Sequence, residues 1–530
     1  MNPRTSVILI FTCLSFLLYF CEVHSANILF FFGLSTYSHR IIAWPLVKAL
    51  AERNHTVTFL QPEVNKNPHP NVTELVPNLV AISGQMNFML MRLEYGHRSL
   101  LLRLTYKLPK IGVEMCDKIL ADPDIIEHFS KTKYDVIVID ALFNECAYGL
   151  AYKMRAKTII FGTSHPFGWL ADCLGYPSES YWVPEVHFSF DLPLNFVNRV
   201  WATLSIFYFN TIRYFAFLNL ETVLRERLQI PDMPSIAEMM ANTSLMLTNT
   251  HFSEELARAL PPNVISVGGM NVKEKSELKP IPKDIEKFVN EGGDEGFILV
   301  SFGTGANITA APEEIQTKFF KAFEKQKIRF VWKWEGKRPA LMPPNVMTVS
   351  WIAQQDILAH PKIRGFITHG GLLSMHESIF HQVPMIVFPV FAEQDYNGER
   401  LQRTGRGLTL EITSFTQEQL EDAINKLLYD DRYKKNVVEV SQRFFDRPQK
   451  PVEAATWWVE YVIRQKDTSF MRPLAASLTW YQRRCLDVYG FLLILILSIA
   501  YIAVKCVKLL VRLVLRNVNN VDSKVKAKIN

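Results

Sequence analysis

The chain has 530 residues, 48% hydrophobic and 21% charged, a balance that supports large packed cores and excludes a mainly disordered protein. Net charge is +6, but seven Lys/Arg against one acid lie from Lys505 onward, which leaves 51 bases and 51 acids in the rest. The excess sits in one short tail, so no basic face for nucleic acid is implied.

In chain order, an apolar run behind Arg4 (Val7 to Phe11, Leu14 to Phe20) is followed by the small residues Ser25 and Ala26. Residues 1–25 have the three-part form of a cleaved signal peptide. Asn27 to Gly33 then reads as a buried strand ending in a glycine loop, Leu34 to Ser38. A helix to about Arg53 and a strand at Thr56–Leu60 complete a βαβ unit. Tyr134–Asp140 and Thr158–Gly162 bracket a further helix. Phe196–Leu220, dense in aromatics, is assigned to the core by default, with an acceptor pocket or a membrane-surface helix as alternatives. Val272–Asp284, charged and carrying Pro280 and Pro282, marks a boundary.

Beyond that boundary come Gly292-Gly293 and the strand Phe297 to Ser301, leading into Gly303-Thr304-Gly305. Further strands are expected at Arg329–Trp332, Gly365–Thr368 and Pro384–Pro389. Continuous apolar strands alternating with helices predict an α/β protein: two doubly wound Rossmann-like domains with parallel sheets, facing each other across a cleft. We place them at 26–275 and 285–445, with closing helices over 446–485. Loops at the carboxyl ends of the strands then face the cleft.

Val488–Val504 is 17 residues without a charge, close to the ~20 a bilayer span needs. This predicts a C-terminal transmembrane helix over 488–507, with Lys505 and Lys508 snorkelling. The basic tail 508–530 is expected to be cytosolic and the body lumenal, as a single-pass type I protein. Lys526 and Lys528 resemble a dilysine signal for retrieval to the endoplasmic reticulum. Cys116, Cys146, Cys173 and Cys485 form no disulfide-scaffold or metal pattern. Glycosylation sequons begin at Asn54, Asn71, Asn242 and Asn307.

The most informative run starts at Trp351 and ends at Gln394, 44 residues in all. It holds Gln354, His369-Gly370-Gly371, Ser374, Glu377 and Glu393-Gln394. These types suit a UDP-sugar part by part. An indole face stacks on uracil, and an amide bonds its edge. A carboxylate takes the ribose hydroxyl protons. A His followed by two glycines lets the backbone and the next helix N-terminus approach a diphosphate. A second carboxylate and amide meet the sugar.

The run resembles the nucleotide-sugar signature of the UDP-glycosyltransferase family, animal UDP-glucuronosyltransferase type. The resemblance implies a GT-B type fold and UDP-sugar binding by Thr304, Trp351, Gln354, His369, Gly371, Ser374, Glu377, Glu393 and Gln394. It continues outside the run in Val300 to Thr304, Asp446 to Pro451, Trp458 to Glu460 and Leu478 to Trp480. Two departures stand out: Leu372-Leu373 replaces a Trp-Asn or an Asn, and Glu393 replaces an Asp.

The first half must supply the base, because the acceptor hydroxyl loses a proton as it attacks. His39 lies in the loop ahead of the helix containing Pro45, whose positive end is expected to keep the imidazole neutral. Asp140 closes its own strand and, by its residue type alone, could equally orient the ring or cap a helix. The family's catalytic His and its partner Asp match His39 and Asp140. The resemblance further implies inversion and neither metal nor cofactor, the co-substrate being UDP-glucuronate or UDP-glucose. A small lipophilic acceptor and the membrane are the other expected partners. Glucose rather than glucuronate, or a non-catalytic sugar-nucleotide-binding protein, are the competing readings. Oligomeric state, self-association included, is left open.

Overall fold

The computed structural model describes residues 25–529, apart from 79–86 and positions 178–181, 184, 186–187, 189 and 191. The expected signal peptide lies outside the described residues, save for Ser25. Up to Pro473 the chain forms one compact unit, and Leu474–Asn530 forms a second.

The first unit contains two parallel sheets. In the first, strands β1 (Asn27–Phe31), β2 (Thr56–Leu60), β3 (Val72–Leu75), β4 (Val136–Asp140), β5 (Lys157–Gly162), β6 (Leu245–Thr248) and β7 (Val264–Ser266) lie in the order β3-β2-β1-β4-β5-β6-β7. The second holds β8 (Phe297–Ser301), β9 (Arg329–Lys333), β10 (Val346–Val349), β11 (Ile363–Thr368), β12 (Met385–Val387) and β13 (Gly407–Thr409). Its order is β10-β9-β8-β11-β12-β13. The central strands carry apolar residues on both faces because helices cover both. In β1, Leu29 and Phe31 pack into one core while Ile28 and Phe30 pack into the other.

The two domains exchange core residues. The helix Phe88–Ala121 belongs to the first, yet its tip enters the second. Met89 joins the buried cluster that holds Phe302 and Phe388, and the Phe88 ring stacks on Phe391 with centroids 4.0 Å apart. Gly96, at φ +65°, breaks this helix just beyond the tip. In the opposite direction, the helix Pro451–Arg464 returns to the first domain, where Ala455, Val459 and Val462 pack against the face of its sheet. Cys116 and Cys146 form a disulfide that ties the long helix to the helix Cys146–Met154.

The helix Phe196–Leu228 departs from the default expectation of core. Ala202, Ile206, Phe209, Phe217 and Leu220 are buried, but Trp201, Leu204 and Phe215 face solvent. Aromatic density alone does not say which helix face is inward.

In the second unit, the helix Leu486–Ile529 runs for 44 residues and contains an apolar stretch, Leu486–Asn517, within which an 18-residue window reaches a mean hydropathy of 2.5. The tail expected as a separate segment is continuous with it. No proline interrupts these residues, and Lys and Arg are good helix formers.

Candidate functional site

Strand order decides where ligands can bind. In each sheet the order reverses between two central strands, opening a crevice beyond their carboxyl ends. In the first sheet the reversal lies between β1 and β4, and in the second between β8 and β11. The segments leaving β1, β8 and β11 carry His39, Thr304 and His369, and β4 ends on Asp140.

At the first reversal, the helix Tyr37–Glu52 starts earlier than expected. Thr36 is extended and caps it, and the His39 and Arg40 N–H groups donate to the Thr36 carbonyl. His39 therefore sits within the first turn, not in the loop ahead of the helix. Asp140 is the buried last residue of β4. Its Oδ2 lies 2.8 Å from His39 Nδ1. Its other oxygen, Oδ1, has no hydrogen-bond partner among the described residues.

Burial lowers the His39 imidazole, but the charge and hydrogen bond of Asp140, with a contribution from Glu393, hold it above its ordinary value. This corrects the expectation of an imidazole depressed by the helix terminus. A carboxylate in direct contact outweighs the partial charge of a helix end. Glu393 belongs to the second domain, so the two halves meet at this ring. Thr163, just past β5, places its hydroxyl 3.3 Å from both ring nitrogens.

At the second reversal, Gly303 (φ +72°) and Gly370 (φ +82°) adopt a backbone that favours glycine. A Cβ at Gly303 would come within 2.7 Å of the His369 ring, and so would one at Gly371. These two glycines flank the imidazole and leave it room. Burial pushes His369 down to about 4, and the nearby Lys333 ammonium adds to the effect. Lys333, at the end of β9, donates to the Gly303 carbonyl at 2.8 Å. Directly after Gly371 the helix Leu372–Phe380 begins, and the Leu372 N–H reaches Glu393 Oε1 at 3.4 Å.

Gln354, Ser374 and Glu377 are gathered together. The Gln354 amide donates to Glu377 Oε2 at 2.6 Å and to the Ser374 hydroxyl at 3.2 Å. Gln355 and Asn271 donate to Glu377 Oε1. Burial lifts the Glu377 carboxyl to about 7 against these bonds and Lys273. Trp351 is half exposed, with Lys66 Nζ 4.5 Å from its ring centroid and Tyr37 edge-on at 6.2 Å. Both neighbours come from the first domain. Gln394 turns partly inward, its Oε1 accepting the Val390 and Phe391 N–H groups. Thr304 lies exposed in the loop after β8.

Residues 34–521 match the family model described as UDP-glucoronosyl and UDP-glucosyl transferase. The chain belongs to this family. Similar relatives include UDP-glucuronosyltransferase 1A8 of Rattus norvegicus, 29% identical and covering 88% of this chain and 89% of that one. UDP-glucosyltransferase 2 of Dactylopius coccus is 30% identical, covering 90% and 92%. Among solved structures, a UDP-glucosyltransferase from Polygonum tinctorium superposes with a TM-score of 0.56 at 15% identity, over 84% of this chain and all of that one. CalG4, the calicheamicin glycosyltransferase, gives 0.54 at 18%, over 83% and 99%. These neighbours establish the GT-B fold, and the family makes the chain a UDP-glycosyltransferase.

Sequence reasoning overlooked four residues that touch the named ones. Thr163 follows a strand that was recognised, so the strand-end rule would have found it. Lys333 closes β9 in the same way. Asn271 and Gln355 carry no local signal, because their contact with Glu377 exists only in the folded chain.

Proposed function

We propose that this UDP-glycosyltransferase moves a hexose from a UDP-sugar to a hydroxyl of a small lipophilic acceptor, with inversion. The observation that carries this reading is the His39–Asp140 pair, 2.8 Å apart at one strand reversal, with Glu393 of the other domain close by. With Nδ1–H donated to Asp140, Nε2, which has the Thr163 hydroxyl 3.3 Å away, is the nitrogen left to take the acceptor proton. The acceptor oxygen bonds to the anomeric carbon as the bond from that carbon to the diphosphate oxygen breaks, and UDP leaves. Developing charge on the sugar is positive, as in other glycosyl transfers. Gly303, Gly371, a neutral His369 and the Lys333 ammonium suit the departing diphosphate. Trp351 suits uracil, and Glu377 with Gln354 suits ribose and the uracil edge.

Glucose is favoured over glucuronate by the charge beside the sugar residues. Arg92, which reaches this segment from the first domain, is held by Asp395 at 2.9 Å and by Glu411. With Glu393 added, acids outnumber bases there, which opposes a sugar carboxylate. Incubation with labelled UDP-glucose and UDP-glucuronate over a phenol panel tests this. Transfer from UDP-glucuronate alone would refute the glucose reading, and hydrolysis-free binding of both without transfer would refute catalysis.

We place the protein in the endoplasmic reticulum membrane, with a lumenal body and the helix Leu486–Ile529 as anchor. The Cys116–Cys146 disulfide supports an oxidising compartment. Replacing Lys526 and Lys528 should release the protein toward the cell surface, and unchanged reticular staining would refute their role.

A further inference from the structure

The helix Phe196–Leu228 presents an outward stripe that the donor and catalytic sites do not use. Val197, Trp201, Leu204, Tyr208, Phe215 and Leu218 recur at spacings of three, four and seven and are all exposed, Trp201 at 61% and Phe215 at 60%. Over this length the stripe runs roughly 30 Å along the helix. No Asp or Glu occurs between residues 192 and 220. Tyr208 reaches the Thr105 hydroxyl of the neighbouring helix at 3.1 Å, and that helix exposes Arg103, Lys107 and Lys110 close by in sequence.

We propose that this face lies in the surface of a lipid bilayer. Trp, Tyr and Phe on one side, no acid in that stretch of the helix and three cations on its neighbour are the chemistry of an interfacial helix binding anionic headgroups. The alternative of a second copy fits less well. A helix seam between protein copies favours branched aliphatic knobs flanked by paired Glu and Lys. Here the flanking exposed positions include Phe196, Val200, Phe207 and Tyr214, with Arg199, Thr203 and Thr211 and no Glu or Lys between residues 196 and 220. The proposal rests on the membrane reading above, since the terminal helix keeps a bilayer tethered to the body.

The inner face of the same helix gives the docking a consequence. The Arg213 guanidinium lies 3.8 Å from the Trp169 ring centroid and pairs with Glu145. Glu145 lies five residues after Asp140, in the segment leaving β4. A lipid-bound outer face thus backs, through Arg213 and Glu145, onto the segment that follows Asp140, and an apolar acceptor would arrive there from the bilayer.

The test uses the full chain in nanodiscs of phosphatidylcholine and phosphatidylserine that carry a doxyl-labelled lipid. A fluorescent amino acid replaces Leu204, Phe215, Ser498 in the terminal helix, or the exposed Tyr429 of the second domain, one at a time. Loss of fluorescence at 204, 215 and 498 but not at 429 is expected. Quenching at 498 with 204 and 215 as bright as 429 would overturn the docking and leave the anchor standing. Quenching at 204 and 215 without 498 would uphold the docking and refute the anchor. No quenching at any position would refute both. Should 204 and 215 stay bright and instead show energy transfer between copies, the face is a dimer seam and the proposal fails.

Discussion

His39 and His369 occupy matching places in two sheets of the same strand logic, and the protein tunes them in opposite directions. Each follows a central strand at the point where the order reverses. His39 meets a buried carboxylate at 2.8 Å, which holds its imidazole above the ordinary value. His369 meets two glycines and a lysine, and burial takes it down to about 4. The topology fixes where a histidine can stand, while the neighbouring charge decides what it can do. One ring is prepared to take a proton, and the other stays neutral beside a place suited to phosphate.

Removing the first ring should have the largest effect. His39→Ala is expected to lower kcat/KM by roughly 10²–10⁴-fold, the usual value of a general base, with UDP affinity retained in calorimetry. Near-normal turnover would assign the base elsewhere. Asp140→Asn tests the tuning itself. The active form of His39 is unprotonated, so the raised imidazole sets an acid limb in kcat/KM above the ordinary histidine value near 6.5. Without the Asp140 charge, burial dominates and the limb should move to lower pH as the plateau falls. An unmoved limb would show that another group titrates.

Glu377 sharpens the contrast from the donor side. Its carboxyl, lifted to about 7, is ionised above that pH and protonated below it. UDP affinity should weaken as pH drops through about 7, because ribose hydroxyls donate better to the anion. Glu377→Gln should bind UDP more weakly and without that pH dependence. The smallest effect belongs to a residue pair outside both sites. Replacing Cys116 and Cys146 by Ala should cost about 2–4 kcal/mol of stability, read as a lower Tm, with kcat nearly unchanged.

Legibility in the sequence followed local physics. Phe297–Ser301 and Val136–Asp140 are uninterrupted apolar runs and declare themselves as buried strands. Val264–Ser266 and Gly407–Thr409 are three residues each at sheet edges, too short for any period to show. The donor residues were readable because they lie within one stretch. His39 and Asp140 were readable through the resemblance, yet the sign of the shift at His39 was not. It depends on a distance between atoms 101 residues apart. Lys333 could be located at its strand end, but its effect on His369 was not legible, since it arises only when β8, β9 and β11 come together.

The exchange of core residues between the domains bears on how the molecule comes apart. Met89 fills the core of the second domain, while Ala455, Val459 and Val462 complete the first. Arg92 is buried between Asp395 and Glu411, so parting the halves there would strand charges away from water. Neither half keeps an intact interior once the other is lost. The body should therefore melt in a single calorimetric transition whose van't Hoff and measured enthalpies agree.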